Sequence, residues 1–191
     1  MNWSRTKQLS FACSSSFYLI SNQLTFFIPM YSILFVCLGN ICRSSAAETI
    51  FADRVHKAGA AAHFTLDSAG LIDCHEGEEA DARMRSHAFA HGYRITHRSR
   101  PVTREDLQRF DLIVAMDPNN VAGLLKLART AEEKDKIVEM AAFLTHHNER
   151  FIPDPYYGTH QDFEWVIKLL EDACDGLLSH LLDHLQLDIR P

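Results

Sequence analysis

The chain has 191 residues, 47% of them hydrophobic and 23% charged, which is enough apolar material for one domain with a sizeable core and excludes wholesale disorder. Its formal net charge of −6 lacks the basic footprint of a nucleic-acid binder, so any anion site must be built locally from backbone N–H groups and one or two arginines. Five cysteines, at positions 13, 37, 42, 74 and 174, include no Cys-x2-Cys pair and are odd in number, which excludes a structural zinc site and a disulfide framework and fits a reducing cytoplasm.

Residues 1–29 read as an N-terminal extension outside the fold, with the domain occupying 30–191 and Met30 as its natural beginning. Arg5 and Lys7 precede a moderately apolar stretch, as at the start of a signal peptide, but Ser14 to Ser16 and Ser21-Asn22-Gln23 interrupt it. No apolar run there reaches the roughly 18 residues of a membrane helix. Export or membrane association is the alternative.

Ile33-Leu34-Phe35-Val36-Cys37 is an unbroken apolar run of strand formers, the pattern of a strand buried on both faces. Gly39-Asn40 breaks it. From Ser44 a helix follows, with Ala47, Ile50, Phe51, Val55 and Ala58 at three- and four-residue intervals and Gly59 as its stop. Phe64-Thr65-Leu66 is a second short strand, ending at Asp67-Ser68-Ala69-Gly70. A helix is predicted over 80–91, stopped by Gly92. Leu112 to Ala115 is a third buried strand, and Asp117-Pro118 caps and opens the next helix. Ile137-Val138-Glu139 is a brief fourth strand. The longest helix runs over 162–185 on a stripe of Phe163, Val166, Ile167, Leu170, Ala173, Leu177, Leu181 and Leu185, weakened only by Gly176. Strands alternating with helices predict an α/β three-layer sandwich with a central four-stranded parallel sheet flanked by helices. Ligands of such sheets sit beyond the carboxyl ends of the strands, where Cys37 lies.

The segment Cys37-Leu38-Gly39-Asn40-Ile41-Cys42-Arg43-Ser44 joins the first strand to the first helix. A cysteine six places before an arginine is weak by itself; the context gives it meaning. To hold an anion the loop must curl until successive N–H groups point inward. Gly39 permits unusual dihedrals and Asn40 tolerates a left-handed one. A helix N-terminus favours negative charge, and Arg43 supplies a bidentate clamp for two phosphoryl oxygens. A thiol in such a field is kept as thiolate, a nucleophile for phosphorus. The plain alternative is a buried cysteine ending a strand.

Val36 to Ser44 resembles the signature loop of the low-molecular-weight protein tyrosine phosphatases. The likeness runs from about Tyr31 to about Leu187, through Asp67-Ser68-Ala69-Gly70, His97, Phe110-Asp111, Ala115-Met116-Asp117 and Pro153-Asp154-Pro155-Tyr156-Tyr157-Gly158. It implies hydrolysis of a phosphotyrosine-containing protein or small aryl phosphate through a cysteinyl-phosphate intermediate. Cys37 is then the nucleophile, Arg43 the oxygen clamp and Asp154 the proton donor, with residues 38–44 as the phosphate-binding loop between the first strand and the first helix. A carboxyl over the site can protonate the tyrosine oxygen and later activate water, and two flanking prolines stiffen its loop. Tyr156 and Tyr157 follow and can wall an aromatic cleft. The resemblance further implies that Asn40, Ser44, Ser68 and His97 brace the loop. It also implies that Cys42 forms a reversible disulfide with Cys37 under peroxide. Two departures stand out: Ser45 where many relatives have proline, and Cys74 where many have a cleft-walling tryptophan. No cofactor, metal, nucleic acid or membrane is expected, and the chain is expected to be a cytoplasmic monomer or weak dimer. Arsenate reductase, a phosphoarginine phosphatase of the same fold and a non-catalytic phosphate-binding module are the competing functions. The absence of cysteine between Cys74 and Cys174, Ile41 in place of threonine, and the joint presence of Cys37, Arg43 and Asp154 weigh against them in turn.

Overall fold

The computed structural model describes residues 30–186; the expectation of an extension over 1–29 lies outside the described residues. Four strands, β1 (Tyr31–Cys37), β2 (Phe64–Gly70), β3 (Leu112–Ala115) and β4 (Ile137–Glu139), form one parallel sheet in the order β2-β1-β3-β4. The helices are α1 (Arg43–Lys57), α2 (Ala82–Ala90), α3 (Arg104–Arg109), α4 (Pro118–Leu127), α5 (Ala131–Asp135) and α6 (His160–Leu185). This is the three-layer α/β sandwich expected.

The apolar run of β1 explains its central place. Ile33, Phe35 and Cys37 project into the larger core, shared with Ile50 and Phe51 of α1, Met84 of α2 and Phe163, Ile167 and Leu170 of α6. Leu34 and Val36 project into a smaller core with Leu107, Phe110 and Leu124. A strand covered by helices on both sides has no room for alternation with polar residues.

Strand order reverses at β1: the chain leaves it for β2 on one side and returns past it to β3 on the other. The crevice beyond the carboxyl ends of β1 and β3 is therefore the ligand-binding position of the fold.

Several boundaries differ from expectation. β2 continues through Asp67-Ser68-Ala69-Gly70, because those residues pair in register with Leu34 to Cys37 of β1. Helices α3 and α5 are additional, six and five residues long, each started by a capping box, Thr103 with Asp106 and Thr130 with Glu133. Helix α6 begins two residues earlier, at His160, behind Thr159. Gly176 strengthens the packing rather than weakening it: a Cβ there would lie 2.0 Å from the carbonyl oxygen of Phe143. Only glycine lets α6 approach that backbone so closely.

Candidate active site

The loop 38–42 leaves β1 and turns into α1 with its carbonyl groups facing the surrounding protein. Cys37 O accepts from Leu71 N (3.0 Å), Leu38 O from Ile72 N (3.1 Å), Gly39 O from Ser99 Oγ (2.9 Å) and Ile41 O from Asp81 N (2.8 Å). Cys42 O accepts from Ala46 N and from Ser45 Oγ. Among the described residues, no protein acceptor takes the N–H groups of 38–43. Carbonyls turned out and amides left free make a cup of donors at the N-terminus of a 15-residue helix, where the helix dipole also favours an anion.

Asn40 sets the curl. It is buried with a left-handed φ of 56°, a conformation that asparagine tolerates better than most residues. Its Nδ2 donates to Ser44 Oγ and Ser68 Oγ, both at 2.9 Å, and its Oδ1 accepts from Arg100 N and His97 Nε2, both at 3.0 Å. Behind it, Glu48 accepts from Ser68 Oγ (2.6 Å) and lies 3.2 Å from His97 Nδ1. Burial pushes the Glu48 carboxyl above the usual range. Glu48, Asp67 and His97 have ligating atoms within 4.8 Å of one another, but their bonds go to Ser68, Asn40 and Arg100, so the cluster ties the loop to β2. Gly70 supports the cup from below. A Cβ there would meet Leu38 O at 2.9 Å, Gly39 C at 3.0 Å and Asn40 N at 3.1 Å.

Cys37 lies buried at the floor, its Sγ 3.0 Å from Ser44 Oγ. Arg43 is 2% exposed. Its Nη1 donates to Asp117 Oδ2 (2.5 Å) and Ile152 O (3.1 Å), and its Nη2 donates to Asp154 Oδ2 (2.5 Å). Its Nε has no partner among the described residues. Burial alone would ease the proton off this guanidinium; its interactions with the neighbouring Cys37, Asp154 and Asp117 outweigh that and hold the proton more firmly than usual. The Nε–H therefore remains available to a ligand on the guanidinium edge that it shares with Nη2.

Asp154 reaches the cup from the loop after the fourth strand. Ile152, fully buried, donates its N–H to Met116 O at 2.8 Å, which fixes the loop to the end of β3. Asp154 Oδ1 accepts from Tyr156 N at 3.1 Å. The carboxylate, the guanidinium and the thiol thus converge in the crevice although they lie far apart in sequence.

Tyr156 is half-buried against the larger core, whereas Tyr157 is 97% exposed and stands edge-on to it at 4.9 Å. Cys74 is exposed. Its neighbour His75 packs against Gly39, with its ring centroid 6.4 Å from that of Tyr156. Cys42, expected as a redox partner, is buried in the loop, and burial, reinforced by the negative charges of Asp81 and Cys37, pushes its thiol up.

The structure brings Cys37, Arg43, Asp154, Asn40, Ser44, Ser68 and His97, all named from the sequence, into one neighbourhood. Asp117, read as a helix cap and as part of the family-like run Ala115-Met116-Asp117, was given no role at the site; its Oδ1 does cap Asn120 N while Oδ2 takes Arg43. Glu48, Ser99 and His75 were missed as well, and none of these carries a local signal.

The family profile described as low molecular weight phosphotyrosine protein phosphatase matches residues 32–187. A Synechocystis sp. protein named for the same family is 43% identical over 149 residues, covering 78% of this chain and 95% of its own length. The human low molecular weight phosphotyrosine protein phosphatase is 34% identical over 148 residues, covering 78% of this chain and 94% of its own. Among solved structures, a protein tyrosine phosphatase from Entamoeba histolytica, with Hepes in its active site, superposes with a TM-score of 0.78 at 41% identity. That match covers 82% of this chain and 99% of the other.

Proposed function

The chain belongs to the low molecular weight phosphotyrosine protein phosphatase family, and from that premise we propose that it hydrolyses phosphotyrosine through a phosphorylated Cys37. The observation that carries this reading is the meeting of the Cys37 thiol, a cup of unbonded main-chain amides, Arg43 and Asp154 in one crevice.

The phosphoryl oxygens enter the cup and take the amides of 38–43 together with Arg43 Nε and Nη2, which draws Nη2 away from Asp154. Cys37 Sγ attacks phosphorus as the bond to the aryl oxygen breaks, and Asp154 gives its proton to that oxygen. In the second step Asp154 takes a proton from water, water attacks phosphorus, and the P–S bond breaks with its electrons returning to sulfur. The Ser44 hydroxyl, 3.0 Å from that sulfur, donates to it as it leaves. Charge on the transferred group is neutralised by preorganised donors throughout.

Tyr156 on one side and His75 on the other receive the phenyl ring. We place the enzyme in a reducing cytoplasm, as a monomer or weak dimer. The four described cysteines are all free, which agrees with that compartment, and among the described residues no helix is long and apolar enough to cross a membrane.

Turnover of p-nitrophenyl phosphate by the wild type and its loss in Cys37→Ser test the nucleophile. A panel of phosphotyrosine, phosphoserine, phosphoarginine and small esters tests the substrate class. Asp154→Ala is expected to lose on the order of a hundredfold on esters with poor leaving groups and far less on activated ones. Preference for phosphoarginine, or turnover by Cys37→Ser, would overturn the proposal.

A further inference from the structure

Arg83 occupies a position that the reaction as described does not use. It lies in the first turn of α2, and its guanidinium grips Asp81 with both edges, Nε to Oδ1 at 3.0 Å and Nη2 to Oδ2 at 2.7 Å. Asp81 also caps α2 through the Arg83 N–H (2.8 Å), and its own N–H donates to Ile41 O of the cup at 2.8 Å. The Arg83 hydrogen bonds hold the Asp81 carboxyl below its usual range. On its other side the guanidinium carbon lies 5.6 Å from the Tyr156 ring centroid and 4.6 Å from that of Phe163, both within cation–π reach. Phe163 is fully buried in α6. Tyr156 is the residue whose N–H holds Asp154 Oδ1.

One side chain therefore spans three parts of the site: the cup through Asp81, the acid loop through Tyr156 and the helix behind both through Phe163. We propose that Arg83 is a positioning residue for the proton donor: by pinning Tyr156 against Phe163 and against the Asp81 bracket of the cup, it sets the distance from the Asp154 carboxyl to the ester oxygen. This rests on Asp154 being the proton donor. A fork held by two bonds on a carboxylate keeps its plane fixed, which a lysine ammonium does not.

The test compares Arg83→Met and Arg83→Lys with wild type on phenyl phosphate, whose leaving group needs a proton, and p-nitrophenyl phosphate, whose leaving group barely does. Each is also made in the Asp154→Ala background. Arg83→Met is expected to lose roughly tenfold more kcat on phenyl phosphate than on p-nitrophenyl phosphate. Arg83→Lys, which keeps the charge over the rings, is expected to recover part of that difference. In the Asp154→Ala background the differential loss is expected to vanish, since the group being positioned is gone. Equal losses on the two esters, or a differential loss that persists without Asp154, would overturn the inference while leaving the acid assignment intact. A leaving-group profile for Asp154→Ala that matches wild type would overturn both.

Discussion

Gly70 ends β2 directly beneath the cup, and the three atoms that a methyl group would strike there all belong to the backbone of Leu38, Gly39 and Asn40. None can swing aside as a side chain would. Gly70→Ala is therefore expected to push the loop out of shape while the sheet stays folded. A displacement of a few tenths of an ångström to 1 Å should lower kcat/KM for p-nitrophenyl phosphate by roughly tenfold to a hundredfold, with far-UV circular dichroism unchanged. Cys42 bears a second prediction. Peroxide oxidises the Cys37 thiol to a sulfenic acid with release of water, and attack by the Cys42 sulfur then expels hydroxide to form the disulfide. Because burial pushes the Cys42 thiol up, formation of this bond should accelerate as pH rises. Mass spectrometry after mild peroxide should show a Cys37–Cys42 bond in the wild type and sulfinic Cys37 in Cys42→Ser; sulfinic Cys37 in the wild type without that bond would exclude the mechanism. Cys37 and Arg43 were readable in the sequence because the loop that joins them is contiguous and ends at a helix. His75 and Ser99 were not, because each reaches the loop from another segment; nor was Glu48, which sits on α1 but acts through Ser68 and His97 of distant segments that only folding brings to it.

The loop that carries Asp154 is held at the element scale by the start of its segment. Asp172, buried in the middle of α6, accepts from the N–H groups of Thr145, His146 and His147, from Thr145 Oγ1 at 2.5 Å and from His147 Nδ1 at 2.8 Å. Burial alone would raise its carboxyl; the bonds from Thr145 and His147 outweigh it and hold the group well below the usual range. A carboxyl depressed in the folded state stabilises it at every pH above the unfolded value of about 3.9, and that contribution disappears as pH falls below it. Asp172→Asn is expected to cost about 1–3 kcal/mol at pH 7, since it leaves donors poorly paired, and the gap from wild type should shrink below pH 4. Urea melts at pH 7 and pH 3 measure both. The elements β1, α1 and α6 were legible from a long apolar run or stripe, and the four-residue β3 because all its residues are apolar and Asp117-Pro118 marks the next helix. Helices α3 and α5 are too short for any period to register, although their capping pairs, Thr103 with Asp106 and Thr130 with Glu133, were present to be read. The continuation of β2 through Asp67 and Ser68 escaped because polar residues there are paid for by ties to Arg100 and Glu48.

Across the whole molecule β1 is the shared wall of two cores, and its carboxyl end is also the floor of the site. Phe35 fills the larger core against Phe51, with ring centroids 5.7 Å apart, two residues before Cys37. Phe35→Ala is expected to cost about 3–5 kcal/mol and to lower the melting temperature in one cooperative step, read by calorimetry; two separate transitions would show that the two cores unfold independently. The parallel order of the sheet followed from alternating strands and helices, but the place of β1 between β2 and β3 did not, because strand order depends on which helix crosses which face. The outward carbonyls and inward amides of residues 38–43 carry one further consequence. Every residue type except proline brings the same N–H, so on the proposed mechanism inheritance can exchange the exposed side chains of Leu38 and Ile72 while the grip on the tetrahedral oxyanion stays the same. The partner to be dephosphorylated is open to evolutionary drift; the group removed from it is written in atoms that ordinary substitutions do not reach.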